Sequence, residues 1–169
     1  EGDSLDGVWS MTLTVGQGSP PGVYALRLDA DDVSGNLAMI ETGRSVTISS
    51  GDDVEAPVLT PPLEITPDIA DVSNGSVVVM VRTGIMDNRS GAESAIARFH
   101  RGSVQSSGAL TRTEGDSLSG VWEGPVTIPA GAAEGIDTLT IAVTDFDMNF
   151  AERLTTARLH IRNSDVSPP

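Results

Sequence analysis

The chain has 169 residues, with 24 acidic side chains against 10 basic ones, no cysteine and 4% aromatics. A net charge of −14 excludes nucleic acid as a partner, because phosphate binding needs clustered cations, and it disfavours anionic membrane surfaces. Without cysteine there is no thiol catalysis, Cys-based zinc site or disulfide, and no run of about 18 apolar residues offers membrane insertion.

In chain order, the first ten residues, EGDSLDGVWS, carry neither the basic start nor the apolar core of a signal peptide. Residues 8–15 alternate: Trp9, Met11, Leu13 and Val15 share one face, Ser10, Thr12 and Thr14 the other. This period of two predicts a half-buried antiparallel strand. A turn follows at GQGSPPG, then a second strand with Tyr24, Leu26, Leu28 and Ala30 on one face, and a third ending in Val46 and Ile48. Residues 51–58 read as an acidic linker. Residues 57–65 are rich in proline, which cannot donate to a ladder and so marks an edge strand or a linker entry. The run SVVVMVR at 76–82 is the most β-prone and reads as central. Ala95, Ala97 and Phe99 face inward with Arg98 and His100 outward, and residues 104–112 supply one or two short strands.

The last third repeats the first. EGDSLDGVW at the start returns as EGDSLSGVW from Glu114, and a shift of about 113 residues aligns the two copies without a gap. Roughly 18 of about 56 positions are identical, among them Gly22/Gly135, Leu26/Leu139, Asp32/Asp145, Asn36/Asn149, Thr42/Thr155 and Ile48/Ile161. The second copy is preceded by residues with no counterpart before the first. The expected organisation is therefore a C-terminal half-repeat at 1–50, the linker at 51–58, a complete repeat at 59–163, and the start of a further linker at 164–169. The expected fold class is all-β: an antiparallel β-sandwich of about seven strands, preceded by the three-stranded half of another.

The string GDSLSGVWEGPVTIPAGAAEGIDTLTIAVTDFDMN resembles the bacterial Ig-like tandem repeats of secreted and cell-surface proteins. In those repeats a Gly-x-Trp strand is followed by a Pro-Gly turn, another strand and a D-x-x-G-N hairpin. Gly120/Trp122, Pro129/Gly131, Gly135 and Asp145/Asn149 carry the likeness here, as do Gly7/Trp9, Gly22, Asp32, Gly35 and Asn36; Met148 departs from it, standing where the hairpin glycine would be. The resemblance implies an Ig-like fold and an extracellular setting, with function left to the site.

Few residues offer chemistry. His100 and His160 lie on different expected strands, away from any serine elbow, and make a poor zinc pair. Sugar hydrolysis needs a cleft with aromatic platforms, and both tryptophans occupy core-facing positions. Asn74 and Asn88 open formal glycosylation sequons in loops. The sharpest expectation is calcium. Asp29, Asp31, Asp32 and Asn36 crowd one hairpin, Asp145, Asp147 and Asn149 the matching one, and the linker adds Asp52 and Asp53, with Asp87 in a loop that faces it. Such oxygen ligands suit a hard cation, although Asp and Asn also serve simply as turn formers.

These features point to a non-catalytic spacer in a secreted or surface protein, its partners being neighbouring repeats of the same chain. Two rivals are an accessory module of an extracellular hydrolase and a filament subunit completed by strand addition from other copies.

Overall fold

The computed structural model describes residues 7–16, 19–49, 51 and 53–164. Among them the regular structure is all strand: β1 (Gly22–Asp31), β2 (Leu37–Ile48), β3 (Val58–Thr66), β4 (Ile69–Asp71), β5 (Val77–Met86), β6 (Ala92–Arg101), β7 (Ser103–Gly115), β8 (Ser119–Ile128), β9 (Gly135–Asp145) and β10 (Phe150–Arg162). Strands β3 to β10 hydrogen-bond in the order β3-β5-β8-β7-β6-β9-β10-β4, while β1 and β2 form a separate antiparallel pair.

Alternation decides which way each strand faces. Val79, Val81, Thr83 and Ile85 of β5 point inward, as do Trp122, Val126 and Ile128 of β8. From the other side come Ala95, Ala97 and Phe99 of β6, Leu139, Ile141 and Val143 of β9, and Leu159 and Ile161 of β10. All these apolar side chains join a single core cluster, each fully buried aliphatic or aromatic side chain contributing about 1.5–3 kcal/mol. The arrangement is sandwich-like, with a core two layers deep.

Strand β7 ties the layers together. Residues from Ser103 to Leu110 pair with β6, whereas those from Thr111 onward pair with β8. At this crossover the two backbones nearly touch: a Cβ added to Gly108 would lie 2.1 Å from the Pro125 carbonyl oxygen, and one on Gly124 2.2 Å from that of Ala109. Glycine is the residue that admits such an approach. The expectation of one or two short strands over residues 104–112 thus becomes one long strand shared by both layers.

Two further expectations change. Residues 58–162 form eight strands, not about seven, because the three-residue β4 lies parallel to the end of β10. Its sequence is too short to show a period. Residues 8–15 do not form the strand that their alternation predicts; only Gly7 makes a bridge. Their equivalent, β8, is held on one side by β5 and on the other by β7, whereas among the described residues no strand flanks 8–15 in this way. Alternation without a neighbour to bond leaves a strand unmade.

The turn between β4 and β5 gives a pH-dependent contribution. Asp71 Oδ1 accepts from the Ser73 hydroxyl (2.6 Å) and the Ser73 amide (3.1 Å). The hydroxyl bond, then the amide bond, outweigh desolvation and, with the Arg162 charge, hold its carboxyl below the ordinary 3.8. A depressed folded-state value stabilises above the unfolded value and is lost as pH falls through the folded one. Asp71→Asn is therefore expected to melt below the parent at neutral pH, with the two melting curves converging as pH drops beneath 3.8.

Candidate functional site

The two copies of the repeat build the same hairpin atom by atom. In the second, the Asp145 amide donates to the Asn149 carbonyl (3.1 Å), Asp145 Oδ1 accepts from the amides of Asp147 (2.9 Å) and Asn149 (2.7 Å), and Oδ2 accepts from Asn149 Nδ2 (2.8 Å). In the first, Asp32, Ser34 and Asn36 make the corresponding bonds at 3.1, 2.8, 2.9 and 2.7 Å. The tight turn needs a left-handed residue, supplied by Gly35 at φ 83° in one copy and by Met148 at φ 68° in the other. The missing hairpin glycine thus leaves the backbone path unchanged, at the strain cost of a side chain in that region. Below each turn a threonine hydroxyl spans the same strand irregularity, Thr42 to the Leu26 carbonyl and Thr155 to that of Leu139.

The copies differ in what lies beside the turn. At the second hairpin the linker is fastened down. The Asp53 amide donates to Asp147 Oδ2 (3.2 Å), and Asn149 Nδ2 donates to the Asp53 carbonyl (2.9 Å). Asp53 Oδ1 accepts from the Glu55 amide (3.0 Å) and Oδ2 from the Ser90 amide (2.9 Å). Asn88, in the loop between β5 and β6, donates its side-chain amide to Glu55. That loop is ordered in turn by Asp87, whose Oδ1 accepts from the Arg89 (3.0 Å) and Gly91 (2.7 Å) amides. Gly91 has φ +88°, and Ser117 Oγ would lie 2.5 Å from a Cβ there, so the EGDSL motif of the repeat packs against this loop where only glycine fits.

These ties bring three carboxylates from three separate segments together. Ligand oxygens of Asp53, Asp87 and Asp145 all lie within 4.8 Å of one another. Their residues are 6%, 7% and 0% exposed. At 4.8 Å two such charges repel by about 3 kcal/mol at an effective dielectric of 20. Burial pushes the Asp53 carboxyl up, but the amides of Glu55 and Ser90, then the Ser90 hydroxyl and the Arg89 charge, outweigh it and hold the group below its ordinary value. Arg89 places a positive charge near Asp53. The Ser90 hydroxyl lies beside the Asp53 carboxylate and helps to lower it, although its buried Oγ makes no hydrogen bond of good geometry.

Of the ten residues singled out in the sequence, Asp53, Asp87 and Asp145 converge. Asp147 and Asn149 sit next to them and bind the linker backbone. Asp29, Asp31, Asp32 and Asn36 are exposed and stand in the other hairpin, where Asp29 pairs with Arg27 at 2.9 Å and Asp32 is taken up by Asn36. Among the described residues they join no cluster of three acids. Asp52 lies outside the described residues. Ser90 gave no sign in the sequence; one serine among many has no periodicity or spacing to mark it.

His100 bonds Thr140 Oγ1 across neighbouring strands, His160 is exposed on β10, and the Asn88 side chain of one sequon is engaged with Glu55. No known protein family matches this chain, and no curated protein matches it either.

Proposed function

We propose that this chain is a segment of a non-catalytic spacer, built of tandem Ig-like sandwiches in an extracellular or surface-anchored protein. The observation that carries the reading is the fastened linker. Hydrogen bonds spanning 37, 94 and 96 residues of sequence hold Asp53 to the loop and hairpin of the repeat that follows it. A loose tether between independently working domains has no use for such bonds, whereas a spacer that must hold distance and direction does. The exact recurrence of the hairpin supports the same reading, since an array needs each unit to present the same end to its neighbour. Net charge of −14 keeps such an array soluble and repels neighbouring copies.

Sedimentation of the 169-residue chain over a wide concentration range tests the reading against strand exchange. A monomer throughout is expected. A dimer that forms with concentration and shields Trp9 from a quencher would instead favour the filament subunit. The sequence preceding Glu1 in the parent protein separates the other rival: strands completing the first copy support the spacer, and a catalytic domain there supports the hydrolase module.

A further inference from the structure

We infer that Asp53, Asp87, Asp145 and Ser90 form a binding site for one calcium ion that locks the linker onto the sandwich. The inference goes beyond the spacer reading and stands without it, since a linker can be locked in a protein of any function.

The donor set selects the class of ligand. Three carboxylate oxygens within 4.8 Å of one another fit around one ion whose oxygen ligands stand about 2.3–2.6 Å from it. The set has no imidazole or thiolate, which sets it apart from zinc and the softer transition metals. Magnesium prefers to keep most of its water and is held by one or two carboxylates; a buried trio suits calcium better.

The acids alone would not suffice, because acidic clusters are common on a chain this negative. The second observation is Ser90. It is 1% exposed, its Oγ is walled off from solvent, and no hydrogen bond of good geometry reaches it. Buried hydroxyls are normally satisfied, and this one stands beside the Asp53 carboxylate. Its lone pairs are available to a cation placed among the three acids, which would satisfy the hydroxyl and neutralise the carboxylates together. The segments are also prepared: backbone amides fix the carboxylate of Asp53 from Glu55 and Ser90, that of Asp87 from Arg89 and Gly91, and that of Asp145 from Asp147 and Asn149. The ion would join linker, β5–β6 loop and β9–β10 hairpin, three segments that sequence holds far apart.

The molecule contains its own control. Asp32 has the same hairpin bonds as Asp145 but neither of the other two acids. The test uses the full 169-residue chain, stripped with chelator and returned to about 0.15 M salt to screen non-specific attraction. Calcium chloride is then titrated in by calorimetry, and melting is followed in calcium, magnesium and chelator. One calcium per chain is expected, with a melting temperature that climbs with calcium concentration as mass action requires and moves less with magnesium. Asp87→Asn keeps an oxygen for the Arg89 and Gly91 amides while removing charge, and should weaken calcium binding at least about tenfold. Asp32→Asn should leave it unchanged. Equal melting of the parent in calcium and chelator overturns the inference without recourse to any variant. So do an equal response to magnesium, or calcium affinity that survives Asp87→Asn.

Discussion

Replacing Trp122 with alanine is expected to destabilise the chain by about 3–5 kcal/mol, whereas Trp9→Ala should change stability by no more than about 0.5 kcal/mol. The two tryptophans occupy equivalent positions of the repeat and follow the same Gly-Val pair. Trp122 is 5% exposed on β8 and belongs to the core; Trp9 is 90% exposed. The indole at 122 fills space between the layers, and truncation would leave a cavity as well as lost apolar burial. At 9 the indole packs against no layer of the described residues. Urea melts of both variants measure the difference, and fluorescence checks the cause. Trp9→Ala leaves an indole in an apolar setting, with emission at short wavelength that shifts red on unfolding. Trp122→Ala leaves one already in water. Comparable losses at the two sites would contradict the unequal roles assigned to the copies.

The second large effect is expected at Arg101. Its Nε and one terminal nitrogen both reach Asp137 Oδ1 at 2.8 Å, and Asp137 is fully buried. The guanidinium also donates to the carbonyls of Glu134 (2.6 Å) and Ala133 (3.0 Å), clamping the turn that leads into β9. Arg101→Met strands a buried carboxylate whose other oxygen already has no partner. The loss should be about 2–3 kcal/mol, below the range for a wholly buried pair because the arginine keeps contact with water. The double variant Arg101→Met/Asp137→Leu should recover most of it, since removing both charges removes the unpaired one. A double variant no more stable than Arg101→Met would show that the loss comes from the clamped turn rather than the charge. The equivalent of Asp137 in the first copy is Tyr24, whose hydroxyl donates to the Pro20 carbonyl at 2.8 Å. The repeat changes the side chain there, and among the described residues β1 pairs with β2 alone, with no equivalent of the arginine-bearing β6 beside it.

Much of the architecture could be read in the sequence because strands announce their faces locally. The alternation of Ala95, Ala97 and Phe99, or of Leu139, Ile141 and Val143, reflects a pleat that each segment makes for itself. The 113-residue shift was equally plain, and the paired hairpins show its physical content: Asp, Asn and Thr at fixed offsets draw the same set of hydrogen bonds twice. Hairpins of this kind are local objects, so their chemistry travels with the sequence.

Strand faces, the repeat and the hairpin are therefore set locally by the order of residues. Tertiary structure decided the rest, because it depends on neighbours that the chain brings from a distance. Residues 8–15 carry the pattern of β8 and make no strand, since pairing needs partners. Strand β7 serves both layers because Gly108 and Gly124 let its backbone meet that of β8, which no periodicity records. Ten acidic and amide residues look alike as oxygen donors until folding places Asp53, Asp87 and Asp145 together, leaves Asp29 and Asp31 in water, and buries Ser90 beside Asp53. Charge composition can count carboxylates; only contact between distant segments says which of them must share one small space.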